Sequence, residues 1–303
     1  MQPTIWVEKY RPRTLNDVIF QDERQRAKFE EFISSKDIPN LFLTGVQGTG
    51  KTTISKALIR ELGVDKSDVM RINCSDEKID ALRSKVSAFA MTMPLGAFKV
   101  VQLEEIDYLS LDGQALLRGL IEDSSRSCRF IATCNYANKV IPPLKSRFQQ
   151  FSFLTPDKEQ IATRMVHILE SEKVEFDAGF LLTYIDVGYP DIRTTIQLLS
   201  GNTHNKVLLD PKQASAETAD WKFGLLDHIS KGDFKSARKL VCETATREEH
   251  ADVFRFLYDN LFKMKITDHD AAIVTIADYA KSHNLVDDTE INLAALFICL
   301  GKL

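Results

Sequence analysis

Short apolar runs alternate with longer helical periodicities through the first half of the chain. Ile38–Thr44 (IPNLFLT) is an apolar run of strand length, and Thr52–Leu62 follows with helical spacing. Val69–Ile72, Val100–Leu103 and Arg129–Thr133 predict three further strands, with helices at Ser75–Met91 and Leu111–Glu122 between them. A Ser75-Asp76 pair is expected to cap the first of these helices. Such alternation predicts a parallel sheet with helices on both faces.

After about residue 151 the strand signals stop. Pro156 and Asp157 open a helix that runs to about Glu172, since a proline in a first turn gives up no needed hydrogen bond. Phe176–Val187 and Asp191–Leu199 complete a small helical unit, and the polar stretch Asn202–Ala219, with Pro211 inside it, reads as a linker. From Trp221 onward four or five amphipathic helices are expected, with Val253, Phe254, Leu257, Leu261 and Phe262 on one stripe. The expected plan is an α/β domain over 1–151, a helical domain over 152–204 and an all-α domain over 205–303.

With 303 residues, 44% apolar and 27% charged, the chain can bury two or three separate cores. No apolar run approaches a membrane span, and the first thirty residues do not read as a signal peptide, so a cytoplasmic protein with no membrane contact is expected. The five cysteines are scattered without CxxC spacing and the six histidines without HExxH pairing, which speaks against a disulfide framework or a zinc site. A net charge of −4 excludes nucleic-acid binding over the whole surface, so any such contact needs a local basic face.

The densest chemistry lies at Gly45-Val46-Gln47-Gly48-Thr49-Gly50-Lys51-Thr52, a G-x4-G-K-[ST] loop between a predicted strand and a predicted helix. Its glycines let backbone N–H groups turn toward phosphates, and the following helix adds its N-terminal dipole. Lys51 can reach the β- and γ-phosphates, and the Thr52 hydroxyl can hold Mg²⁺. Glu104 and Glu105 end the Val100–Leu103 strand. Alone they read as a solvated loop; beside a phosphate loop they read as a metal-shell acid and a base for the attacking water. Asn135, after the fourth strand, suits either a turn or the orientation of that water. Arg147, after Pro142-Pro143, is by pattern alone a surface charge.

Trp6-Val7-Glu8-Lys9-Tyr10-Arg11-Pro12 resembles the N-terminal signature of the AAA+ clamp-loader small subunits, the family that includes replication factor C. That resemblance implies an α/β P-loop AAA+ domain, a helical lid and an all-α collar. It implies ATP contacts from Val7, Glu8, Lys9, Tyr10 and Ile19, and from Gly48, Thr49, Gly50, Lys51, Thr52 and Thr53. Thr52 and Glu104 would hold Mg²⁺, Glu105 would stand as catalytic base, and Asn135 would complete the site. Ser146-Arg147-Phe148 resembles the motif whose arginine reaches the neighbouring subunit's γ-phosphate, and Asp191-Ile192-Arg193 resembles the lid sensor, so Arg193 would touch ATP in its own subunit. Lys78, Arg83, Lys85 and Arg118 would track primer-template DNA, and Gln114 would relay that contact. The implied partners are copies of the chain and a second, non-identical subunit in a pentameric ring, a sliding clamp, and primer-template DNA.

The run Asp76–Ala90 and the brief collar look closest to the ATPase subunit of T-even-type phages, which would set the protein in a bacterial host's cytoplasm. Two residues depart from the family: Glu104 stands where Asp is usual, and Phe148 replaces a cysteine. The rivals are another AAA+ machine acting on DNA, such as a branch-migration motor, and a scaffold subunit that binds nucleotide without hydrolysing it. A motor would carry a winged helix at its C-terminal end, where only helices are expected here. A silent scaffold would have lost Lys51, Thr52 or Arg147, and all three are present.

Overall fold

The computed structural model describes residues 5–218, 220–283 and 285–303, with the side chains of 215–218 outside that description. Contacts divide the chain into two units, Met1–Gln160 with Pro190–Ile192 and Ile161–Tyr189 with Arg193–Leu303.

The first unit holds α1 (Trp6–Lys9), α2 (Glu23–Ser35), β1 (Leu41–Gly45), α3 (Lys51–Glu61), β2 (Val69–Asn73), α4 (Ile79–Met91), β3 (Lys99–Glu104), α5 (Leu111–Asp123), β4 (Cys128–Cys134), α6 (Pro142–Lys145) and β5 (Gln149–Phe153). The five strands form one parallel sheet in the order β2-β3-β4-β1-β5. Leu41, Phe42 and Leu43 are all fully buried because both faces of the sheet are covered. Leu41 and Leu43 face α2 and α3, with Phe29, Ile54 and Leu58; Phe42 faces α4, α5 and α6, with Leu82, Leu117 and Leu144.

The fifth strand is a correction to the expectation of four strands in the α/β half. In Gln149-Gln150-Phe151-Ser152-Phe153 only Phe153 is fully buried, with Phe151 half-buried. An edge strand with one covered face lacks the continuous apolar run that marks its neighbours. A second correction concerns α4. It starts at Ile79 with no side-chain cap, while Asn73 donates to Asp76 Oδ2 at 2.6 Å and closes a polar turn ahead of it. Ser75 and Asp76 are used in that turn, so they do not cap the helix.

In the second unit α7 (Lys158–Glu172, whose first three residues belong to the first unit), α8 (Ala178–Gly188) and α9 (Ile192–Gly201, whose first residue belongs to the first unit) follow as expected, and the Asp157 carboxylate accepts from Gln160 N at 2.7 Å ahead of α7. The supposed linker 202–219 is instead folded. Thr203–His204 (β6) pairs antiparallel with Val207–Leu208 (β7) across Asn205 and Lys206, whose φ values of 50° and 64° fit the left-handed two-residue turn of a tight hairpin. Pro211 then opens α10 (Pro211–Thr218), and Asp210 accepts from Lys212 N at 2.8 Å; Ala219, the end of that stretch, lies outside the described residues. Five helices complete the unit: α11 (Trp221–Lys231), α12 (Phe234–Thr244), α13 (His250–Asp259), α14 (His269–His283) and α15 (Thr289–Leu300). Phe262 does not share the stripe of Val253, Phe254 and Leu257. Helix α13 stops at Asp259, and the following 3-10 turn, Leu261–Lys263, leaves Phe262 88% exposed.

Phe29 is fully buried and its ring meets those of Phe20, Phe32, Phe151 and Phe153 at centroid distances of 4.9–6.2 Å. Phe29→Ala is expected to destabilise the first unit by about 3–5 kcal/mol, read from the urea midpoint of its unfolding.

Candidate nucleotide site at the C-terminal edge of the sheet

All five strands point the same way, so the loops after β1, β3 and β4 leave from one edge. Thr44 of β1 lies opposite Cys134 of β4, and Leu103 of β3 lies opposite Ala132 of β4. This register gathers the Gly45–Gly50 loop, Glu104 and Glu105, and Asn135 along one line, with β4 between the other two strands. In a doubly wound sheet this edge is where ligands bind.

The loop between β1 and α3 is held in conformations that side chains resist. Gly48 has φ of 80°, and a Cβ there would fall 2.1 Å from Asp191 Oδ1; Gly50, at φ 87°, turns the chain into α3. Lys51 is 7% exposed and its ammonium donates to the carbonyls of Gly45 (2.8 Å) and Val46 (2.7 Å). Burial lowers its pKa to about 8, against the opposing pull of Cys134, Asp107, Glu105 and Asp191. Thr52 and Thr53 are half-buried in the first turn of α3, and their hydroxyls make no hydrogen bond to a described residue.

A polar chain ties this turn to β3. Ser55 donates to Thr52 O (2.9 Å) and accepts from Gln102 Nε2 (2.7 Å), which also donates to Glu104 Oε1 (3.1 Å). Lys56 approaches the same carboxylate at 3.6 Å. Glu105 takes the left-handed conformation (φ 59°, ψ 50°), which costs a non-glycine residue about 1 kcal/mol or more. Its N–H is held by Thr133 Oγ1 at 3.3 Å, and its carboxylate makes no hydrogen bond or ion pair with a described residue. The acid that sequence reasoning passed over is Asp107. It is 6% exposed and accepts from the N–H groups of Asn135 (3.3 Å) and Tyr136 (3.1 Å), which fixes where the Asn135 amide leaves β4. Its only signal in the sequence was an acidic residue three positions beyond the strand.

These donors fit a magnesium–nucleotide pair. Thr52 and Glu104 supply hard oxygen, and among the described residues no group of three or more His, Cys, Asp or Glu could hold a metal by itself. Magnesium is commonly held through one or two side chains, with phosphates completing its shell. Burial pushes the Cys74 and Cys134 thiols up to about 12, so neither competes as a thiolate ligand.

Val7 is buried, Glu8 pairs with Arg11 at 2.8 Å, Lys9 lies over the Tyr10 ring at 5.3 Å, and Ile19 is half-buried. This segment is tied to α3 by Leu15 N donating to Glu61 at 3.1 Å. Arg193 lies in the first turn of α9, in the second unit. Lys78, Arg83, Lys85 and Arg118 are exposed on α4 and α5 or at the start of α4, with Lys85 paired to Glu77. Gln114 is 1% exposed and fully engaged: it donates to Leu109 O (3.1 Å) and Lys139 O (3.0 Å), and accepts from Ile141 N (2.8 Å).

Arg147 belongs to the other edge of the sheet. Asn40, just before β1, accepts from Phe130 N (2.9 Å) and Gln149 N (2.8 Å), and its amide donates to Arg147 O (3.3 Å). The length of β1, about 13 Å of extended chain, separates this residue from the phosphate loop. Its guanidinium is held by Glu122 of α5 (Nε to Oε1 2.8 Å) and by Ser146 Oγ (3.0 Å).

Residues 41–156 match the model of the ATPase family associated with various cellular activities (AAA). The chain is 39% identical to the replication factor C small subunit of Archaeoglobus fulgidus, over 78% of this chain and 77% of the relative. It is 33% identical to the replication factor C small subunit of Staphylothermus marinus, over 99% of this chain and 95% of the relative. Among solved structures, the Thermotoga maritima RuvB Holliday junction branch migration motor superposes with a TM-score of 0.57 at 17% identity, covering 73% of this chain and 79% of that one. At that identity the likeness is one of fold.

Because free Lys51 titrates near 8 and a bound polyphosphate favours the ammonium, binding above that pH takes up a proton. ATP affinity is therefore expected to fall about tenfold from pH 7 to pH 9. Fluorescent-nucleotide titration measures the slope, and Lys51→Arg, with a guanidinium that stays charged, should flatten it.

Proposed function

The chain belongs to the replication factor C small-subunit family of AAA ATPases, and from that premise we propose an ATP site completed by the neighbouring subunit of a clamp-loader ring. The protein is an ATPase subunit of the clamp loader. In this reading the Gly45–Gly50 backbone cradles the phosphates, and the Lys51 ammonium leaves the Gly45 and Val46 carbonyls for them. Val7, Glu8, Lys9, Tyr10 and Ile19 flank the base, and Arg193 of the lid reaches the same nucleotide. Thr52 and Glu104 would hold the magnesium ion, which when bound neutralises charge on the β- and γ-phosphates. Glu105, whose carboxylate makes no hydrogen bond or ion pair with a described residue, accepts the proton of the attacking water as the bond from the γ-phosphorus to its bridging oxygen breaks, and Asn135 orients that water. Glu104 is one methylene longer than the family's usual aspartate, and the amide of Gln102 takes up one of its oxygens.

The observation that carries the proposal is the anchoring of Arg147 at the sheet edge opposite its own phosphate loop. From there it has a natural target only on another chain. The Glu122 pair that holds it is half-exposed on both sides, so releasing it costs little. The division into a lid over 152–204 and a collar over 205–303 belongs to this proposal, as do a pentamer with a second, non-identical subunit, a sliding clamp and primer-template DNA as partners, and DNA contacts by Lys78, Arg83, Lys85 and Arg118. So do a relay through Gln114 and a T-even-type phage relationship, supported by the run Asp76–Ala90. A cytoplasmic setting agrees with five free cysteines and with no described helix long and apolar enough to cross a membrane.

Arg147→Ala is expected to keep nucleotide binding and lose clamp- and DNA-stimulated hydrolysis by about 10³-fold or more. Steady-state phosphate release, with clamp and primed DNA added separately and together, measures this. Normal turnover by the assembled variant would refute the trans site.

A further inference from the structure

A cleft of about 900 Å³ opens between the N-terminal segment, α3 and the turn into β2, adjoining the proposed nucleotide site only through Glu8 and Lys56. It is lined by six cations, Arg11, Arg13, Lys56, Arg60, Lys66 and Arg71, against one carboxylate, Glu8. Glu8 is spent on Arg11, and Lys56 leans toward Glu104. The side chains of Arg13, Arg60, Lys66 and Arg71 are exposed, and none has an ion pair or hydrogen bond to a described residue. A protein of net charge −4 has concentrated unbalanced positive charge in one concavity, where the walls focus the field.

The lining also says what the ligand is made of. It contains no aromatic side chain, so it offers bases nothing to stack on. Ala57 and Ile59 are buried in the floor, which leaves a protein partner no exposed large apolar anchor. Four of the six cations are arginines, whose planar forks match phosphate oxygens two at a time. The α3 side of the sheet is opposite to that covered by α4 and α5, which carry Arg83, Lys85 and Arg118, with Lys78 at the start of α4.

We propose that this cleft is a second nucleic-acid site, which grips the sugar–phosphate backbone without reading sequence. It stands whether or not α4 and α5 bind DNA. The test is fluorescence anisotropy of a labelled DNA duplex with the full chain, across a salt series. Relative to the parent, an Arg60→Ala/Arg71→Ala double variant should bind at least about tenfold more weakly near 50 mM salt, with the log–log salt slope reduced by about two. Duplexes of different sequence should lose equally. Arg60→Lys/Arg71→Lys, which keeps the charge, should retain the parent slope, and a Lys78→Ala/Arg83→Ala/Arg118→Ala variant should still show the loss when the cleft changes are added. An unchanged slope in the double alanine variant overturns the proposal. So does a change confined to self-association in sedimentation, which would assign the cleft to a protein partner.

Discussion

A sheet whose strands all run one way has two chemically different edges, and the division of labour in this chain follows from that constraint. Strand C-termini release the loops that carry glycines, carboxylates and an amide; strand N-termini receive the chain from Asn40 and Arg147. An antiparallel sheet would have interleaved these groups. Here they stand apart by the length of a strand, and each edge is fixed by the same hydrogen-bonded ladder.

At the nucleotide edge the decisive electrostatic fact is a nearly buried ammonium. Lys51 is kept from water by the loop that folds over it, and the carboxylates of Asp107, Glu105 and Asp191 partly offset the penalty. Asp107 also spends both oxygens on backbone N–H groups, so one buried acid shapes the β4 terminus and balances the lysine. The strained backbone of Glu105 is held by Thr133. Strain of this kind persists only where its surroundings over-determine it.

Much of this was legible beforehand where local pattern and local structure coincide. The phosphate loop is contiguous, so its eight residues stand out in the sequence, and β1, β3 and β4 show as apolar runs because both their faces are covered. The misses share a physical cause. Strand β5 owes its existence to pairing with β1, and only its inward positions, Phe151 and Phe153, leave a trace. The hairpin at Thr203–Leu208 is too short to have a period, and its Asn-Lys turn lacks the glycine that usually marks one. Asp107 acts through backbone atoms just beyond another strand, which no residue type encodes. The separation of Arg147 from Lys51 is likewise a matter of topology.

Asn40 is a single residue whose side-chain amide touches β4 and the residue bearing the guanidinium while its backbone carbonyl accepts from β5, one position before the strand that ends in the phosphate loop. Arg147 and the phosphate loop are thus tied to opposite ends of one strand, β1. In the ring proposed above, the spacing from one site to the next would follow from the length of that strand. A small tilt of one member's sheet would reappear at both edges of that sheet, so alignment faults in such a ring would pass from one site to the next instead of being absorbed within the sheet.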